Sequence, residues 1–221
     1  MNTQQTIADQ VVVLQEHLSR QAPAEVLSRF ASEQADLDAA GVPAGVAEPG
    51  AAMPDGKLLD SRGEATTLEQ ARDGHPAVVV FYRGAWCPFC NIALRTYQEQ
   101  LVPALTSRGI DLIAISPQKP DGSLTAKESN DLTFTVLSDP GNQIAGELGI
   151  LTRPTEGARQ SQRELGLDLP SNNADGTDTL TMPTVVVLDA GGTVRWIDVH
   201  PNYTTRTEPS AVLAAVSATI G

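Results

Sequence analysis

The chain has 221 residues, 41% of them hydrophobic, and a formal net charge of −12, which suits one core domain with extensions. An acidic surface repels phosphate backbones and anionic headgroups, so nucleic-acid and membrane-surface binding are not expected. No stretch approaches the roughly 18 consecutive apolar residues of a membrane span, and Met1-Asn2-Thr3-Gln4-Gln5 lacks the basic start and apolar run of a signal peptide, so a cytoplasmic setting is expected.

Residues 1–40 read as helix. Val11, Leu14 and Leu18 share one face, Val26, Leu27 and Phe30 continue the spacing, and Pro23 divides the two. This pair reads as a packing or oligomer-contact appendage, and a homodimer contact is one form it could take. Gly41–Gly50 is a linker. A small hairpin is expected near Lys57–Leu59 and Glu64–Thr67, followed by a short helix capped by Thr67. Ala77–Tyr82 is a valine-rich run of the kind found in a strand buried on both faces. Residues 88–107 follow as a helix, with Pro103 kinking or ending it and Gly109 stopping it. Ile110–Ile115 is a second strand, 122–131 a polar helix, Phe134–Leu137 a third strand and Gln143–Leu148 a short helix.

Residues 151–180 lack a sustained period and read as a long loop with a helix near 156–164, either a functional segment or a surface insertion. Thr184–Leu188 and Thr193–Val199 form a hairpin around Ala190-Gly191-Gly192, and Thr207-Glu208-Pro209 opens the last helix. Strands alternating with helices imply an α/β fold: parallel pairing with helices on both faces, made mixed by the closing hairpin.

The chain has two cysteines, in Cys87-Pro88-Phe89-Cys90, at the point where the buried strand gives way to a helix. A structural zinc site needs four ligands, and His17, His75 and His200 follow no finger-like spacing. No metal or cofactor is expected. The bland alternative is a pair of buried structural thiols. A helix N-terminus, however, offers unpaired N–H groups and partial positive charge. It lowers a thiol pKa from about 8.5 towards roughly 3.5–7.5. Pro88 suits the first turn, Cys87 falls at the cap and Cys90 one turn in, and Arg83 adds a second positive charge. The pattern reads as a redox dithiol. Met182-Pro183 precedes a strand, either as a simple strand starter or as a cis-proline beside the dithiol.

Several segments resemble one family. Gly50-Ala51-Ala52-Met53-Pro54-Asp55, Phe81-Tyr82-Arg83-Gly84 with Trp86-Cys87-Pro88-Phe89-Cys90, and Phe134–Pro140 resemble peroxiredoxins, the alkyl hydroperoxide reductase and thiol-specific antioxidant branch of the thioredoxin-fold superfamily. The resemblance covers roughly 49–220. It implies a thioredoxin-like fold with a peroxiredoxin-type strand-helix insertion at 134–148, an N-terminal extension and linker over 1–48, and a domain over 49–221. Met182-Pro183-Thr184 resembles the thioredoxin-fold cis-proline, which favours the cis reading.

The resemblance also implies an antioxidant thiol peroxidase with a hydroperoxide substrate and a thioredoxin- or glutathione-type thiol reductant. Cys87, Cys90 and Arg83 would be catalytic, and Trp86 and Pro183 would contact substrate. The family pattern P-x-x-x-T-x-x-C places its attacking cysteine on Cys90, its threonine on Cys87 and its proline on Arg83. The arginine usual just ahead of strand 184–188 is replaced by Thr181-Met182-Pro183, leaving Arg83, Arg153 or Arg195 as substitutes. Likeness to thioredoxin assigns attack to Cys87 instead. A protein thiol–disulfide oxidoreductase and a non-enzymatic redox sensor are the competing functions.

Overall fold

The computed structural model describes residues 5–220; Met1–Gln4, part of the segment read against a signal peptide, and Gly221 lie outside them. Two helices open the chain, α1 (Ile7–Gln21) and α2 (Ala24–Ala40), separated at Pro23. Thr6 and Asp9 form a reciprocal capping box at the start of α1. The hairpin β1 (Leu58–Leu59) and β2 (Ala65–Thr66) leads to α3 (Leu68–Arg72), whose Gln70 N–H donates to the Thr67 hydroxyl.

β3 (Ala77–Phe81), α4 (Pro88–Gln100), α5 (Val102–Thr106), β4 (Asp111–Ser116), α6 (Pro120–Ser129), β5 (Thr135–Ser138) and α7 (Gln143–Glu147) then follow. The expected helix over 88–107 is two helices broken at Leu101, because Pro103 cannot donate within a continuous helix.

Residues 151–180 are more ordered than their sequence suggests: β6 (Leu151–Thr152), α8 (Glu156–Glu164), α9 (Leu169–Asn172) and β7 (Leu180–Thr181), with β6 and β7 paired. The helix expected near 156–164 is present. Its buried face is Ala158, Ser161 and Gln162, small and polar residues that leave no apolar period to read. β8 (Thr184–Leu188), β9 (Val194–Val199) and α10 (Pro209–Thr219) complete the chain.

Seven strands form one mixed sheet in the order β2-β1-β5-β4-β3-β8-β9. β3 pairs in parallel with β4, and β4 with β5, whereas β3–β8 and β8–β9 are antiparallel. Successive side chains of central β3 point to opposite faces. Val78, Val80 and Tyr82 join one core with α1, α4 and α10; Ala77, Val79 and Phe81 join the other with α3 and α7. This double burial explains an unbroken apolar run where a one-sided strand would alternate. Among the described residues no helix is long and apolar enough to cross a membrane.

Asp139, fully buried after β5, closes the inserted unit. Its carboxylate accepts the N–H groups of Gln143 (2.8 Å), Ile144 (3.0 Å) and Ala145 (3.4 Å) at the start of α7. Asp139→Ala strands these donors in a dry site and is expected to cost about 1–3 kcal/mol, measured as a fall in the urea midpoint at unchanged slope.

Candidate active site

The dithiol stands where β3 hands over to α4. Gly84 makes the turn at φ +152°, and a side chain there has no room: an added Cβ would lie 2.4 Å from Trp86 Nε1 and 2.8 Å from Gln118 Cδ. Gln118 Oε1 accepts the Ala85 N–H (2.5 Å), and the Asn91 side-chain amide donates to the Ala85 carbonyl (2.8 Å). The turn is therefore held from β4's end and from α4 itself. Cys87 is the N-cap of α4, Pro88 its first residue, and the Cys90 and Asn91 N–H groups donate back to the Cys87 carbonyl (both 3.1 Å). Cap and first turn thus fall where the spacing puts them.

Both cysteines are free thiols and both are buried, at 1% and 0% exposure. A partly exposed setting, usual for reactive cysteines, is not what the fold provides. Burial alone would favour inert thiols, and the surrounding charges decide otherwise. Arg206 Nη2 donates to Cys90 Sγ at 3.0 Å. Burial pushes the Cys90 thiol up, but the hydrogen bond from Cys87 and the charges of Arg206 and Arg83 outweigh it, and its pKa lies well below the usual cysteine value. Cys87 goes the other way: burial, its hydrogen bond to Cys90 and the Cys90 charge push it well up. The two directions, and the Arg206 contact, favour a thiolate on Cys90 over one on Cys87.

Arg83 is 5% exposed. Its guanidinium carbon lies 3.8 Å from the Tyr203 ring centroid and 5.1 Å from that of Trp86, a cation held between two π faces. Trp86 is half-buried and borders a cleft of about 350 Å³ with Gln118, Lys119 and Gly122 that reaches neither cysteine. Pro183 lines a small cavity with Cys90, Thr184, His200, Arg206 and Thr207. Its peptide bond is trans, since no peptide bond among the described residues is cis. The cis expectation is thus corrected: β8 begins at Thr184 and runs antiparallel to β3, and Pro183 enters it as an ordinary strand starter. The His200 N–H donates to the Pro183 carbonyl (2.8 Å), so that edge is already paired.

Arg153 and Arg195 stand elsewhere. Arg153 Nε donates to Thr179 Oγ1 (3.1 Å), and Arg195 is paired with Asp189 (2.6 Å) on the surface. The arginine that reaches the sulfur is Arg206, which sequence reasoning missed together with Tyr203. Both lie in the loop between β9 and α10, a segment whose sequence shows polar residues and one proline around a single tyrosine.

The family model described as the AhpC/TSA family matches residues 49–197. Peroxiredoxin Bcp of Escherichia coli is 32% identical over 96 residues, covering 42% of this chain and 58% of that protein. Peroxiredoxin Q of rice (Oryza sativa subsp. japonica) is 33% identical over 109 residues, covering 48% of each chain. The chain thus spans about half the length of the curated relatives it matches.

Among solved structures, peroxidoxin BcpB of Mycobacterium tuberculosis superposes with a TM-score of 0.58 at 18% identity, covering 77% of this chain and 97% of that one. Reduced Prx3 of Vibrio vulnificus in complex with hydrogen peroxide gives 0.62 at 16% identity, covering 77% and 99%. At these identities the superpositions speak to fold, and the fold they share is the thioredoxin-like one with helices on both faces of a mixed sheet. With two thirds of its length matched by the family model, the chain belongs to the AhpC/TSA family, the peroxiredoxins.

Proposed function

We propose that the protein is a thiol-dependent peroxidase in which Cys90 attacks and Cys87 resolves. The observation that carries this reading is Arg206 Nη2 at 3.0 Å from the buried Cys90 sulfur, with Cys87 at the N-cap of the same helix. A Cys90 thiolate displaces an alkoxide or hydroxide from a hydroperoxide, taking one oxygen to become a sulfenic acid while the leaving oxygen is protonated. The Cys87 thiol then condenses with the sulfenic acid, forming the Cys87–Cys90 disulfide and releasing water. A dithiol reductant of the thioredoxin type, or two equivalents of a glutathione-type thiol, restores both thiols by exchange.

Arg206 and Arg83 supply the positive charge that favours the thiolate and steadies the departing oxygen. Pro183 walls the cavity at Cys90, and Trp86 packs on the Arg83 guanidinium. The start of the family match at residue 49 supports a domain over 49–221 preceded by an extension over 1–48. A cytoplasmic setting, where thiol reductants abound, suits the cycle.

Purified reduced protein should consume hydrogen peroxide and an organic hydroperoxide far faster than a free thiol at the same pH. Consumption no faster than the free thiol would remove the proposal. Insulin reduction with dithiothreitol is expected to be slow, because Cys87, the attacking residue in the thioredoxin-type reading, is buried and keeps its proton.

A further inference from the structure

The peroxidase reading needs Arg206 against Cys90, and Arg206 sits on a loop. Within that loop its Nη1 donates to the carbonyls of Tyr203 (2.5 Å) and Thr205 (2.6 Å), so the guanidinium follows wherever the backbone of 203–206 goes. This backbone is held from inside the domain, where the Tyr97 hydroxyl donates to the Thr207 carbonyl (2.7 Å) and Thr207 Oγ1 donates to Asp198 (2.8 Å), and also from the other end of the chain. Asp38 of α2 accepts from the Asn202 side-chain amide (2.8 Å), and Gln34 donates to the Tyr203 hydroxyl (3.3 Å).

At the loop's far end, Glu208 is the N-cap residue of α10, yet its side chain does not cap that helix. It reaches instead to the first turn of α1, where Oε2 accepts the Ile7 N–H (3.0 Å) and Oε1 the Ala8 N–H (2.9 Å). A carboxylate bridging two free N–H groups at a helix start is a charge-assisted contact favoured by the helix dipole. Helix α2 is itself anchored to the domain: buried Glu33 accepts the Thr155 N–H (2.8 Å), and Arg29 donates to Ser161 (2.8 Å) on α8.

Building on the peroxidase reading, we propose that the N-terminal helices are part of the active site, clamping the loop that carries Arg206 through Asp38 and Glu208, which act as positioning residues for the Arg206–Cys90 contact. Neither carboxylate touches the sulfur. Each closes one end of a six-residue span, 203–208 with Asn202 at its head, on which the thiolate-binding guanidinium rides. The appendage expected from the sequence is, on this view, what holds the catalytic charge in register.

The sign of the effect separates positioning from simple electrostatics. Removing a carboxylate takes away negative charge and by itself lowers a thiol pKa. Letting Arg206 drift from Cys90 raises it. The other groups facing Cys90 are Cys87 and Arg83, with Tyr82 and Tyr97 buried beside it and His200 on the shared cavity. None of them is altered by the variants below.

The test is a thiolate titration by absorbance near 240 nm in full-length Cys87→Ser protein, where Cys90 is the only sulfhydryl. It needs no turnover, so its outcome is independent of whether the peroxidase reading stands. Asp38→Ala and Glu208→Ala, each added to that background, are expected to raise the Cys90 midpoint by about one pH unit, a tenfold loss of thiolate below both midpoints. Asp38→Asn, which still offers an acceptor to Asn202, should restore the parent midpoint. Circular dichroism identifies variants that fold, and should Glu208→Ala not fold, the Asp38 pair decides alone. A folded alanine variant whose midpoint is unchanged or lower, or an Asp38→Asn midpoint as high as that of Asp38→Ala, overturns the inference.

Discussion

Cys90→Ser is expected to abolish peroxide consumption, lowering the rate by about 10⁴-fold or more, the scale on which an enzyme loses its nucleophile. Cys87→Ser should behave differently. It keeps the charged sulfur and its arginine contact, so the first encounter with peroxide still proceeds, and it then stops at a Cys90 sulfenic acid that no neighbouring thiol can condense with. Stopped-flow tryptophan fluorescence reads the first step, because Trp86 lies one residue from Cys87 and packs on Arg83. Trapping the sulfenic acid with dimedone and weighing the intact protein reads the second. The reverse pattern, with Cys90→Ser retaining the fast phase and Cys87→Ser losing it, would assign attack to Cys87 and undo the assignment made from the Arg206 contact.

Arg206→Met should slow the reaction of Cys90 with peroxide by about 10²–10³-fold at neutral pH, the usual consequence of deleting one donor aimed at developing charge. Part of this loss is titration and part is not, and the pH profile separates them. In the parent protein the Cys90 pKa is depressed, so the thiolate's reactivity is lost as the pH falls through the depressed value. Without the Arg206 charge, desolvation prevails and the pKa rises. The acid limb therefore moves towards alkaline pH, and raising the pH recovers the titration part. What stays lost on the alkaline plateau is the stabilisation of the departing oxygen. Arg206→Lys should restore some of the thiolate without matching the parent, since an ammonium lacks the planar donors of the guanidinium.

The sequence made much of this arrangement readable, for physical reasons that differ by element. The β3 run is legible because burial on both faces removes every polar residue from Ala77–Phe81. The cap at Thr67 and the first turn at Pro88 are legible because they are local chemistry, settled within four residues. Arg206 was not legible. It lies 116 residues from Cys90, and an arginine in a polar loop looks like any solvated charge until the sheet and α10 fold that loop over the thiol. Its role is a tertiary fact. The same holds for Glu33 of α2, a buried carboxylate in a helix whose period reads as plain amphipathic packing.

Pro183 shows the opposite hazard. A short motif matched a pattern, but the conformation of the Met182–Pro183 bond depends on how β8 meets β3, and that meeting needs no cis bond. α8 was legible as a helix, but its buried positions are alanine, serine and glutamine, so the charged residues of the opposite side mark its face rather than an apolar run.

Placing both sulfurs at one helix start also bears on how the protein ages under oxidant stress. A sulfenic acid left waiting can take up a second oxygen and become a sulfinic acid, a dead end for an ordinary thiol. Here the competitor for that second peroxide is a thiol held in the adjacent turn, at an effective concentration no dissolved peroxide can approach. No distant segment must arrive before the ring closes, because both cysteines belong to one helix start. In the proposed cycle such a centre exhausts its reductant before it exhausts itself.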